Sequence, residues 1–211
     1  MINALFVETN GVYFNLDGIE PWDIKRNAFN CKNGAPAIAH PPCKRWGRYW
    51  SGGPSLAGTD RALKMGDDNC AFAFSLWYVR TFGGVIEHPE GSHAYRYYGL
   101  NCPKQKEGWG KADNYGGLTC SVAQGNYGHR SRKMTWLYLN GFKPVELDWS
   151  IPKGMMRMDE GRMKIDRSDK KFTPIKRISQ NELAATPVKF RNLLLSIVAH
   201  DLKTTGCLNG S

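Results

Sequence analysis

An ordered run of three segments constrains this chain most. Ala35-Pro36-Ala37-Ile38-Ala39 is a short apolar stretch leading into His40-Pro41-Pro42-Cys43, a strand ended by a turn that two prolines stiffen. Cys70 to Phe82 is apolar at helical spacing, with Asp67-Asp68 supplying an N-cap and Gly83-Gly84 a stop. Val85-Ile86 is extended again and ends at Glu87-His88-Pro89. Antiparallel strands can be joined by a two-residue hairpin, whereas parallel strands need a crossover. Strand, helix and strand in that order therefore predict a parallel βαβ unit. With it comes an α/β domain, a mostly parallel sheet with flanking helices.

Other segments extend this reading. Ala4–Val7 reads as an opening strand, followed by a turn near Asn10-Gly11 and a second strand through Val12–Leu16. Leu118–Gln124 and Lys133–Leu139 read as a hairpin around Gly125-Asn126-Tyr127-Gly128. Ser179-Gln180-Asn181-Glu182 is a capping box opening a short helix, and Thr186-Pro187 starts another that runs through Leu193, Leu194, Ile197 and Val198. Between Lys153 and Arg177 there are nine Lys/Arg against four Asp/Glu, so 150–177 is expected to be a small basic insertion within a single domain spanning 1–211.

Composition narrows the class. Hydrophobic residues make up 41% and charged residues 23% of the 211, which excludes a disordered tail protein, a coiled coil and a collagen-like chain. No run of 18 apolar residues is present, and Met1–Val7 lacks a basic n-region, so neither a membrane span nor a signal peptide is expected. The six cysteines, Cys31, Cys43, Cys70, Cys102, Cys120 and Cys207, form no C-x-x-C pair, so no metal site is expected. A reducing cytoplasm is the expected compartment. The net charge of +10 favours an anionic partner such as nucleic acid.

In an open α/β sheet reactive groups gather beyond the carboxyl ends of the strands. Two of those ends carry chemistry here: a thiol at Cys43 and a carboxylate at Glu87, flanked by His40 and His88. His129-Arg130-Ser131-Arg132-Lys133 begins a further strand, and nearby Arg and His charge lowers the pKa of a thiol. Lys44-Arg45-Trp46-Gly47-Arg48-Tyr49-Trp50 interleaves basic and aromatic groups, a composition suited to phosphates and stacked bases. Plainer readings stand beside these. Cys43 fits a buried inert thiol, Glu87 a helix cap, each histidine a structural hydrogen bond, and the basic stretches a solvated surface.

The ordered motifs resemble the C5-cytosine DNA methyltransferase family. Pro41-Pro42-Cys43 looks like its Pro-Pro-Cys nucleophile motif. Glu87-His88-Pro89 keeps the Glu of its Glu-Asn-Val motif, and Gly128-His129-Arg130-Ser131-Arg132 keeps both arginines of its Gln-x-Arg-x-Arg motif. Ile178 through Asn181, Glu182, Leu183, Thr186 and Pro187 to Phe190 is similar to the motif preceding the family's closing helix. The resemblance covers Pro41 to about Phe190. The start differs: Phe6-Val7-Glu8-Thr9-Asn10-Gly11 has one glycine where the family has Phe-x-Gly-x-Gly, and only 34 residues separate Phe6 from Pro41.

The resemblance implies a truncated Rossmann-like methyltransferase fold with a reduced cofactor region. It also implies a DNA pyrimidine-modifying enzyme in which the Cys43 thiolate attacks C6 and Glu87 acts at N3. Arg130 and Arg132 would hold the extruded base and its backbone. His40, Pro42, Lys44, Arg45, Trp46, Arg48, His88 and His129 are then candidate substrate or DNA contacts. S-adenosylmethionine would be met by Phe6 and Asp23, the latter standing for a ribose-binding acid. The compact layout suits a phage-encoded enzyme working in a bacterial host cytoplasm. Three alternatives stay open: a glycosylase or deaminase needing no S-adenosylmethionine, an enzyme of free pyrimidine nucleotides as in thymidylate synthases, and a non-catalytic DNA-binding relative.

Overall fold

The computed structural model describes residues 1–53, 55–153 and 179–199. Nearly all of the basic 150–177 segment lies outside these. Seven strands form one sheet: β1 (Ile2–Leu5), β2 (Ile19–Trp22), β3 (Ala37–Ala39), β4 (Gly84–Pro89), β5 (Gly110–Lys111), β6 (Leu118–Ala123) and β7 (Met134–Asn140). Their order is β2-β1-β3-β4-β7-β6-β5. The first four are parallel, whereas β7 is antiparallel to β4 and to β6, and β5 is antiparallel to β6. The class is α/β, but the sheet is mixed rather than mostly parallel, because the β6–β7 hairpin adds an antiparallel half to the βαβ half.

The crossover between β3 and β4 is α1 (Ala71–Phe82), which buries Ala71, Phe72, Ser75, Leu76, Tyr78 and Val79 along one stripe. Asp68 helps start it, as the sequence suggests. Its Oδ2 accepts the Phe72 N–H at 2.9 Å and the Trp46 indole N–H at 2.8 Å, although Cys70 occupies the N-cap position itself, in a left-handed conformation with φ 62°. The two glycines at the far end differ in their reasons. Gly83 stops the helix at φ 80° with its N–H on Val79 O. Gly84 has φ 139°, and a Cβ there would lie 2.0 Å from Ala37 O on the paired strand.

The short helix α2 (His93–Tyr97) buries Ala94 and Tyr95 on the α1 face. The opposite face is covered by α4 (Val188–Ala199), whose Phe190, Leu194, Ile197 and Val198 pack on Ile2, Ala4, Ile38, Val85, Leu137 and Leu139. Before it, α3 (Gln180–Ala184) opens with the anticipated capping box: Ser179 Oγ accepts the Glu182 N–H, and Glu182 Oε2 accepts the Ser179 N–H. Among the described residues no helix is long and apolar enough to cross a membrane.

Two expectations about strands need correcting. Val12–Leu16 is not extended, because Asn10, Asn15 and Gly18 take positive φ and turn the chain before β2 begins at Ile19. The β6–β7 hairpin is present, but its connection runs from a 3-10 turn at Gln124–Tyr127 through to Lys133, whose φ of 36° delays the strand to Met134. Gly84→Ala should lower stability by about 3 kcal/mol or more, a drop in Tm of roughly 10 °C for a chain this size. A thermal melt matching that of the wild type would remove the close-approach argument.

Candidate active site

Parallel pairing puts the carboxyl ends of β3 and β4 on one edge of the sheet. The antiparallel β7 begins on that same edge, and β6 ends there. The segment 40–43, Glu87, Gln124 and residues 133–135 therefore converge. Tyr13 joins them from the connection after β1. Alternation along β4 then sorts its residues. Val85 packs on the α4 side and Ile86 on the α1 side, so Glu87 and His88 point to opposite faces.

Glu87 is the hub of the α4-side cluster. Its Oε2 lies 3.1 Å from His40 Nδ1, and its Oε1 accepts from Gln124 Nε2 at 3.0 Å and Thr135 Oγ1 at 3.4 Å. Tyr13 Oη lies 2.8 Å from His40 Nε2. Burial pushes the Tyr13 phenol up, so it keeps its proton. Burial alone would raise the Glu87 carboxyl, but the His40 hydrogen bond and the charges of His40 and Lys133 outweigh it and hold it at about 2.

Cys43 is exposed on the turn after β3. Protein packed around the sulfur and the Glu87 charge raise its pKa, while Lys133 and the Cys43 backbone N–H lower it. The net direction is up, which corrects the expectation that arginine and histidine charge would depress it. The opposing cation is Lys133, whose Nζ donates to Ala185 O at 3.0 Å and Ala184 O at 3.4 Å. Burial lowers the pKa of Lys133, against the raising effect of Glu87 and Cys43.

Several predicted contacts have other work. Trp46 is 1% exposed, with ring centroids of Phe72, Tyr97 and Tyr98 at 5.3–6.1 Å, so it anchors the core and offers no face to a base. His88 is fully buried, with Nδ1 2.7 Å from Ser92 Oγ. Burial lowers its pKa to about 4 against the raising effects of Glu87, Asp68 and the Pro42 and Pro41 carbonyls, so it stays neutral. His129 is buried too, its Nδ1 at Ser131 and its Nε2 3.1 Å from Glu182 O. Arg130 is exposed and ion-paired with Glu182. Arg132, Lys44 and Arg48 are exposed, as is Pro42. Arg45 is half-buried, with Nη1 3.3 Å from Trp50 O, and Arg48 sits over the Tyr49 ring. Tyr13, Gln124, Thr135 and Lys133 escaped the sequence reading, although Gln124 and Lys133 border the hairpin turn that it located.

The corner expected to meet S-adenosylmethionine is built differently. Phe6, at φ 56° after β1, packs edge-on against Phe29 and Phe74. Asp23 follows β2 but is buried. Its Oδ2 accepts from Thr9 Oγ1 at 2.6 Å, and its Oδ1 from the Lys25 and Arg26 N–H groups at 3.1 and 3.0 Å. An acid engaged on both oxygens closes its own turn, so these residues do not fit the ribose of that cofactor. Among the described residues no three His, Cys, Asp or Glu side chains converge as metal ligands.

The two shifted groups make stability pH-dependent. Unfolded His88 binds a proton near pH 6.5 that the folded protein refuses until about 4, so stability should fall by about 3 kcal/mol as pH drops through that window. Glu87 then loses its contribution between about 4.5 and 2. Urea unfolding at stepwise lower pH measures this, with His88→Asn flattening the first step. A wild-type profile flat from pH 6.5 to 4 would contradict it. No family model matches the chain, and neither a curated protein nor a solved structure matches it.

Proposed function

We propose that this chain is a DNA pyrimidine-modifying enzyme with a reduced Rossmann-like architecture resembling that of C5-cytosine DNA methyltransferases. The observation that carries the reading is the exposed Cys43 thiol at the same sheet edge as Glu87, close enough for their charges to act on one another. Cys43 loses its proton to solvent, and the thiolate adds to C6 of an extruded pyrimidine while Glu87 engages N3. The ring becomes nucleophilic at C5. Lys133 offsets negative charge on sulfur. Arg132, Lys44 and Arg48 supply exposed positive charge around the turn for backbone phosphates. Arg130 is held by Glu182 and joins them when that exposed pair opens.

DNA containing 5-fluorocytosine or 5-fluorouracil should form a covalent adduct, seen on a denaturing gel and by mass spectrometry, that Cys43→Ser abolishes. Arg132→Ala should retain adduct chemistry but weaken DNA binding several-fold and reduce its salt slope by about 1. Absence of an adduct with either base would sink the thiolate mechanism. Salt-sensitive DNA binding that persisted in Cys43→Ser would then favour a non-catalytic DNA-binding protein.

A further inference from the structure

Resting on that reading for the reaction at Cys43, we infer that the DNA brought to it is single-stranded, held by the exposed rings of Tyr49 and Tyr97 and the cations around them. The surface is built on Trp46. Its backbone N–H donates to Cys43 O at 3.0 Å, its O accepts from the His93 N–H at the start of α2 at 2.8 Å, and its indole N–H reaches Asp68. A Cβ at Gly66 would lie 2.7 Å from the same indole, so the chain on either side of Gly66 passes directly against it. Gly66 N–H on Arg45 O and Leu63 N–H on Ser51 O, both at 3.0 Å, tie the loop into one piece beside the Cys43 turn. The Tyr97 ring centroid sits 5.3 Å from that of Trp46 and 5.0 Å from that of Tyr98.

What this anchored loop leaves in water is both aromatic and cationic. Tyr97 is 66% exposed and Tyr49 44%, and Leu63 and Met65 are exposed on the same loop. From Lys44 to Asp67 the chain carries Lys44, Arg45, Arg48, Arg61 and Lys64 against Asp60 and Asp67, and Arg96 is exposed next to Tyr97. The Arg48 guanidinium lies 5.5 Å from the Tyr49 ring centroid. The cations attract the phosphates of any nucleic acid and do not choose between one strand and two. The rings choose. In a duplex each base face is covered by the next pair, so a protein meets edges and phosphates, whereas an unpaired strand offers faces that stack on aromatic rings and on arginine planes. A ring already held on Trp46 loses little freedom when a base stacks on it.

The placement joins this surface to the thiol. Cys43 has Trp46 on one side, through its backbone hydrogen bond, and Lys133 on the other, close enough for their charges to interact. A strand lying on Tyr97 and Tyr49 and continuing to the exposed Arg132 therefore passes the Cys43 turn at the edge of the sheet. An unpaired pyrimidine on that path meets the sulfur without first being taken out of a base pair.

Fluorescence anisotropy of the full chain with a labelled oligonucleotide, as a single strand and annealed to its complement, tests the inference. The single strand should bind about tenfold tighter than the duplex at matched salt, or more. Tyr97→Ala and Tyr49→Ala should each weaken single-strand binding by about 5- to 150-fold, the range for one stacked base, and keep its salt slope because no phosphate contact is lost. Duplex affinity should change by less than about twofold. Tyr97→Phe keeps the ring and should keep the affinity. The ring of Tyr49 meets Arg48 rather than the core, so Tyr49→Ala reads stacking even where removal of Tyr97 loosens Trp46. A duplex bound as tightly as the single strand overturns the inference. So do single-strand affinities unchanged in both alanine variants, or losses of equal size on the two forms of DNA. Each of these leaves attack by Cys43 standing, because the fluoropyrimidine adduct is read separately. Single-strand preference lost in the alanine variants, with no adduct formed, keeps this surface and removes the chemistry. Binding of neither form at low salt overturns both.

Discussion

The contact between His40 and Glu87 ties the two central parallel strands together at the edge where they end, and the cluster is arranged around it. A carboxylate this deep must be solvated by protein groups, because water reaches it only in part. His40 follows β3, Gln124 follows β6 and Thr135 lies on β7, so three segments contact one charge, and Tyr13, from the connection after β1, reaches it through His40. Each donor also fixes the orientation of the next, which makes the cluster rigid without a covalent link. The Cys43 turn hangs from the same strand end as His40 and inherits that position.

Distant sequence holds the cluster in place. Arg191, on the first turn of α4, donates to Val12 O at 2.5 Å across 179 positions, next to Tyr13. Lys133 reaches the carbonyls of Ala184 and Ala185 between α3 and α4. His129 does the same for Glu182 O. The C-terminal helices therefore bury the apolar face of the sheet and at the same time brace the hairpin and the β1–β2 connection that carry polar side chains. A substitution in α4 that loosened Phe190 or Leu194 would disturb the site from beneath.

Pleating explains how adjacent residues came to have separate duties. Glu87 and His88 look like one motif on the chain, yet they face opposite sides of β4 and work in different cores. The same sorting places Trp46, set among lysine and arginine neighbours, under α1 with its indole N–H on Asp68. Lys44 and Arg48 on that loop stay exposed because their charges demand water, while the aromatic ring satisfies the core. Mixed composition in the loop reported a surface and a core anchor together, and not one binding face.

By itself the sequence determined the βαβ unit, the α1 boundaries, the hairpin, the capping box at Ser179, and the pairing of Cys43 with Glu87 at neighbouring strand ends. All of these follow from local rules: residue spacing, glycine and proline stereochemistry, and short-range capping. Tertiary structure decided the rest. It set the antiparallel half of the sheet, the burial of Trp46, His88 and His129, and the choice of Lys133 over the arginines as the cation beside the thiol. It also recruited Tyr13 and Gln124, separated from Glu87 by long stretches of chain. Which polar group meets which across such distances depends on strand order and on the face each residue occupies, and neither is encoded in any local window of sequence.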